Sequence, residues 1–248
     1  MAHPLPALCA AVAASAGVSA AASGAILFSY EDPTALMREF NHLAPTMAGQ
    51  PGTLTYDNSV IHRFVIDASE EAPGVRVTVD ATLHFIGMTT GPVTQVGNLF
   101  AAETAGSFEF RTTDPMPQVI LSGTFSDGVL TTFFGSGSST AARNDIGGTL
   151  LLTAGPALFS ILSNAGYNLP VEGFADSPAS ASWSLVNIQE PINANTLVSF
   201  PGDPDKYFPN FAADNAFVAR AVVAPTPGAL SLAGLAAMAV LAPRRRRK

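Results

Sequence analysis

Cysteine is almost missing from this 248-residue chain: the one present, Cys9, lies inside the first apolar segment. With that segment removed no thiol is left, which excludes disulfide stapling and thiolate catalysis. Lipid attachment at Cys9 is disfavoured as well, because Leu8 stands where a small residue is needed and the apolar run follows the cysteine. Basic residues are scarce. Twelve Lys and Arg face nineteen Asp and Glu for a net charge of −7, and five of the twelve are the terminal Arg244, Arg245, Arg246, Arg247 and Lys248. Without those five the rest of the chain carries −12. Such a body repels phosphate backbones, so no nucleic-acid partner is expected.

Signatures of chemistry are missing too. No G-x-S-x-G occurs, and "GSGSS" at 135–139 reads as a turn. His42, His62 and His84 lack metal-ligand spacing, and no cysteine can assist them. A hairpin turn near residue 71 would set His62 opposite about Asp80, as a polar-face cross-strand pair. Acidic pairs such as Glu70/Glu71 and Glu109/Asp114 fall in or beside turns, and sequence spacing says nothing of a cleft between carboxylates. No Gly-rich phosphate loop is present. The expectation is therefore a non-enzyme with no catalytic residue and no cofactor. The weak exception is calcium: "FPGDPDKYFPNFAADN" places Asp203, Asp205 and Asp214 in or near one loop, without the EF-hand order and stiffened by Pro204.

What is present is β pattern. In "GVRVTVDATLHFIG", Val75, Val77, Val79, Ala81, Leu83 and Phe85 alternate with Arg76, Thr78, Asp80, Thr82 and His84, giving one packed face and one wet face. Similar runs occur at 59–67, 107–112, 118–126, 128–135, 147–154, 179–189 and 195–200, and "NAFVARAVV" follows. "FSDGV" at 125–129 carries the Asp-Gly pair that favours a hairpin turn. Regular short strands predict an all-β, antiparallel, jelly-roll-like sandwich of roughly nine to twelve strands. One short helix is expected at 156–164, between Pro156 and Gly166, and "DPTALMREFNHLA" reads as a helix or an irregular edge strand. Trp183 is expected in the core. Tyr56, Tyr167, Tyr207 and Phe208 fall near turns, where a sugar-binding module would expose aromatic rings.

The two ends carry the clearest signals. An Ala-rich segment at 8–22, ending Ala20-Ala21-Ala22, has the layout of a secretory signal peptide cut after Ala22, with Ala25 as the alternative. Near the other end, fifteen uncharged residues at 228–242 lie between Pro227 and Pro243. As a helix they would reach roughly 22 Å, short of a hydrocarbon core of roughly 30 Å. With six Ala and four Leu this is a poor permanent anchor, and the basic run at 244–248 would hold its end cytoplasmic. The order Pro225, Thr226, Pro227, short apolar helix, terminal Arg cluster resembles the PEP-CTERM sorting signal, in the PTPG-type form of planctomycete-like bacteria. Thr226 stands where the family commonly has Glu. The resemblance covers the tail alone. It implies export through the Sec machinery, a transient inner-membrane stage, and recognition by an exosortase, a membrane transpeptidase.

The expected organisation is thus a signal peptide at 1–22, a β domain at 23–223 and a sorting signal at 224–248. The expected role is that of a non-catalytic protein of the cell surface, envelope or exopolysaccharide matrix. A carbohydrate-binding module is the alternative, and a secreted hydrolase a more distant one.

Overall fold

The computed structural model describes residues 24–31, 38–133, 139–145, 150–189 and 192–225. The expected leader with its Ala22 junction, Thr226, Pro227, the 228–242 segment and Arg244 to Lys248 lie outside the described residues, as do Cys9 and most of "GSGSS".

Residues Ser23–Ala224 form one unit. Its strands are β1 (Ala25–Glu31), β2 (Phe40–Leu43), β3 (Gly52–Tyr56), β4 (Ile61–Asp67), β5 (Arg76–Val96), β6 (Leu99–Thr112), β7 (Val119–Phe133), β8 (Ser139–Asp145), β9 (Leu151–Ala154), β10 (Phe174–Val186), β11 (Val198–Ser199), β12 (Lys206–Tyr207) and β13 (Phe211–Val223). The all-β, antiparallel expectation holds. The "DPTALMREFNHLA" stretch is a strand over Phe40–Leu43, while 32–37 lie outside the described residues.

Hydrogen-bonded neighbours follow one another in a circuit: β1, β4, β5, β6, β7, β8, β10, β13 and back to β1, every pair antiparallel. One sheet thus meets itself, as in a barrel, where the sequence pattern suggested two stacked sheets. Alternating burial is common to both architectures, so the pattern could not separate them, and closure removes the exposed edges that a sandwich keeps. The seam between the long strands β5 and β13 is closed twice. Toward one end β13 pairs with β1 over 216–222 and β5 pairs with β4 over 76–82. Toward the other, β13 pairs with β2 over 211–213, and β3 joins β2 to β5 at Thr89 and Thr90.

Bulges explain why β5, β6 and β7 outrun the short strands expected. The β5–β6 register shifts between Ile86 and Thr89 and again between Thr90 and Val93, so Gly87-Met88 and Gly91-Pro92 carry extra residues without ending the strand. Asp127-Gly128 is likewise no hairpin turn. It lies within β7, where the register against β6 slips between Thr104 and Gly106, and a Cβ on Gly128 would strike Thr104 and the Phe125 ring. The close approach, rather than a turn, is what requires glycine there.

Inward positions fill the interior with aromatic rings. Phe64 and Phe110 stack at 4.3 Å, Phe108 meets Trp183 edge-on at 4.9 Å, and Phe217 lies 4.8 Å from Phe110 and 5.1 Å from Trp183. Burying each such side chain is worth about 1.5–3 kcal/mol. Trp183 is core, as expected. The helix α1 (Pro156–Asn164) also forms where expected, with Leu158 and Leu162 buried. It ends in a Schellman motif: Gly166 at φ +91°, its N–H donating to the Ser163 carbonyl, and the Tyr167 N–H donating to Leu162.

Candidate functional site

Polar groups gather where the two closures of the seam meet. Tyr30 is the last but one residue of β1, His62 the second of β4, Tyr56 ends β3, and Asn215 lies on β13 between its β2-paired and β1-paired stretches. The groups are linked in series. The Tyr30 hydroxyl donates to Asn215 Oδ1, Asn215 Nδ2 donates to the Tyr56 oxygen at 3.1 Å, and the Tyr56 hydroxyl lies 2.9 Å from His62 Nε2. The Tyr30 and His62 rings also lie 4.1 Å apart. His62 is 0% exposed, and the network links strand ends of the barrel to one another.

His62 was therefore misplaced by the sequence pattern. It pairs with Ala81, and Arg63 takes the position opposite Asp80. A register slip of one residue moves a side chain to the other face of a sheet. The signal that could have found it is the alternation of β4 itself, since His62, Phe64 and Ile66 share parity and all three are buried.

On the other face of β13 at the same joint, Asp214 holds two unusual backbones. Its Oδ1 accepts the Arg38 N–H at 3.0 Å and its Oδ2 accepts Asn187 Nδ2 at 2.7 Å. Arg38 (φ +49°) and Asn187 (φ +52°) are the two non-glycine residues with positive φ among the described residues. A residue in that region costs roughly 1–2 kcal/mol, so one buried side chain binds both residues that carry this strain.

A second buried histidine serves the β2–β3 closure. His42 Nδ1 donates to the Pro209 carbonyl at 2.8 Å, and Nε2 lies 2.8 Å from Thr90 Oγ1. Burial lowers the imidazole to about 4, against the Pro209 carbonyl, which favours the protonated ring. His42 is thus neutral near pH 7, with Nε2 accepting the Thr90 hydroxyl proton. Its ring stacks on Phe211 at 5.2 Å. Outside this station lies an open depression of about 330 Å³ lined by Asn41, His42, Leu43, Gln189, Asn210, Phe211 and Ala212. Asn210 Oδ1 accepts the Ala44 N–H at 2.7 Å and Asn41 Nδ2 donates to the Glu39 carbonyl at 3.0 Å. The amides of Asn210 and Gln189 are the groups a small polar ligand could meet.

The three aspartates proposed for calcium are used separately. Asp203 accepts the Asp205 N–H at 2.9 Å, which with the Tyr207 hydroxyl holds its carboxyl below the ordinary value despite partial desolvation. Asp214 is committed to Arg38 and Asn187. Among the described residues, no group of three or more His, Cys, Asp or Glu is placed to share a metal ion. Of the aromatics suggested for sugar stacking, Tyr207 and Phe208 are buried, and Tyr56 belongs to the interior network. Tyr167 is half-buried; burial, with the Glu71 carboxylate nearby, pushes its hydroxyl up to about 12.

No family model, no curated protein and no solved structure matches the chain.

Proposed function

We propose that the chain is an exported, non-catalytic protein of the cell surface or exopolysaccharide matrix, delivered by its two ends and sorted by an exosortase-like transpeptidase. One observation supports the reading: the first and last stretches of the described residues, at Gly24 and Ala224, lie side by side. Ala25 pairs with Val222, the Val223 N–H donates to the Gly24 carbonyl at 3.1 Å, and the Ala224 N–H donates to Gly173 at 3.0 Å. Gly24 and Ala224, the described residues nearest the two proposed junctions, therefore lie at the same end of one strand pair, and a leader and a sorting tail attached there would start from one side of the domain. Cutting after Ala22 spares this pairing. Cutting after Ala25 would remove the Gly24 carbonyl and the buried first residue of β1.

The domain between the junctions suits an aqueous exterior. Arg76, Thr78 and Asp80 line the outward face of β5 while Ala81 and Leu83 face inward. A membrane barrel has the opposite arrangement, apolar outside and polar within. The depression beside His42, with its amides and the edge of Phe211, favours carbohydrate binding as the second reading.

The test is the intact mass of the native protein from its own cell envelope. A mature chain running from Ser23 to the neighbourhood of Pro225 is expected. Retention of Arg244 to Lys248 overturns the sorting claim. A glycan array with and without calcium then decides between a matrix role and the carbohydrate module.

A further inference from the structure

We propose that the depression on β2 and β13 is a binding site for one uncharged sugar residue of a polysaccharide, held by the side-chain amides of Asn41, Gln189 and Asn210. The inference rests on the carbohydrate-binding reading and names the class of sugar that the site takes.

Strand alternation builds the hollow. Asn41 and Leu43 flank the buried His42 on β2, so both face outward, and Asn210 and Ala212 flank the buried Phe211 in the same way. Ala212 pairs with Asn41 across the strands, and its carbonyl accepts the Gln189 N–H at 3.0 Å. Its methyl group thus stands between two longer amide side chains, and the difference in length leaves the space of about 330 Å³. Ligand sites run from roughly 300 to 1,000 Å³, so this one suits a single ring rather than an oligosaccharide.

The backbone fixes what two of the amides can offer. Asn210 Oδ1 accepts the Ala44 N–H at 2.7 Å; because an N–H only donates, the oxygen is the atom held and Nδ2 keeps both its hydrogens. Asn41 is the reverse. Its Nδ2 donates to the Glu39 carbonyl at 3.0 Å, which leaves Oδ1 as an acceptor. The exposed Gln189 amide brings a donor and an acceptor of its own. A hydroxyl can both donate and accept, so a polyhydroxylated ring satisfies this mixed set. Leu43 and the Ala212 methyl give its C–H face an apolar surface. Charge then selects among sugars. Among the described residues, no Asp, Glu, Lys or Arg lines the hollow, and the nearby Asp214 is committed to Arg38 and Asn187. A uronate would approach a chain of net charge −7 and find no cation to receive it.

The experiment follows the side-chain amide NMR signals of the full chain as sugars are added. The probes are the methyl glycosides of glucose, galactose and mannose and the three matching uronates. Two variants accompany the wild type: Ala212→Leu fills the hollow, and Asn210→Asp keeps its shape and the Ala44 bond but loses both donors. The expected result is a saturable shift of the Asn210 and Gln189 signals with at least one neutral glycoside. Its uronate and both variants should each show about tenfold weaker binding. Equal binding of the sugar and its uronate overturns the selection of neutral sugars. Unchanged binding in Asn210→Asp, or in a folded Ala212→Leu, overturns the site and leaves the carbohydrate reading standing. No response to any neutral glycoside also overturns the site, and silence on the glycan array as well overturns the carbohydrate reading with it.

Discussion

The two closures of the β5–β13 seam are built on different physics. Where β1 and β4 bridge it, the inward residues include Ile26, Phe28, Phe64 and Ile66, and contact area holds them. Where β2 and β3 bridge it, His42, Thr90 and Tyr56 face inward with Phe40 and Leu54, and directional bonds do part of the work. Apolar packing tolerates any neighbour of suitable volume, whereas each buried donor must meet a particular acceptor. The first closure therefore rests chiefly on contact area, and the second adds constraints on which groups meet. The Tyr30–Asn215–Tyr56–His62 chain stands at the boundary between them.

The largest effect is expected from the apolar side. Phe217 lies within ring-contact range of Tyr30, Phe64, Phe108, Phe110 and Trp183. Phe217→Ala leaves a cavity that these rings, held by their own strands, cannot fill, at about 3–5 kcal/mol in urea denaturation. A cost near 1 kcal/mol would show that the aromatic interior is no keystone.

The polar side should answer to acid. The folded state holds His42 at about 4 against 6.5 for the free side chain, so between these values the unfolded chain binds the extra proton. Its contribution is complete above pH 6.5 and is lost as pH falls toward 4, worth roughly 3 kcal/mol in all. His42→Gln should flatten the urea midpoint across that window, and an unchanged slope would remove His42 as the cause. A steric probe comes next. Gly52→Ala points its methyl at Thr90 Oγ1 and to within 2.7 Å of His42 Nε2, separating the bonded pair. The expected cost is about 1–3 kcal/mol, with loss of the His42–Thr90 coupling in imidazole NMR.

The same contrast decides what could be read from sequence. Alternating apolar residues marked β5, β6 and β10 and placed Trp183 inside, and Pro156 with Gly166 bounded α1, because burial and capping act locally. Barrel closure was hidden, since β1–β13 pairing joins residues nearly two hundred positions apart. The bulges were read as strand ends because Asp-Gly serves a turn or a bulge equally well. Asn215 was hidden for a further reason, since a polar residue on an apolar face breaks the very pattern used to find it; His62 shared the parity of Phe64 and Ile66, but an assumed register set it opposite Asp80 instead. Asp214 looked like a loop ligand because proximity in sequence to Asp203 and Asp205 stood in for proximity in space.

The smallest effect tests the joint from outside the barrel. Asn187 combines a left-handed backbone with a bond to Asp214, and two substitutions separate these. Asn187→Gly removes the bond but relaxes φ, so the two changes oppose and about 1 kcal/mol of destabilisation is expected. Asn187→Ala loses the bond and keeps the strained φ, so it should fall about 1 kcal/mol below the glycine variant. If the two were equal in urea denaturation, the strain would be carried elsewhere and Asp214 would be an ordinary buried acceptor. If glycine matched wild type, the amide–carboxylate bond would be worth no more than the strain it holds in place, and directional bonding would add no net stability at this joint.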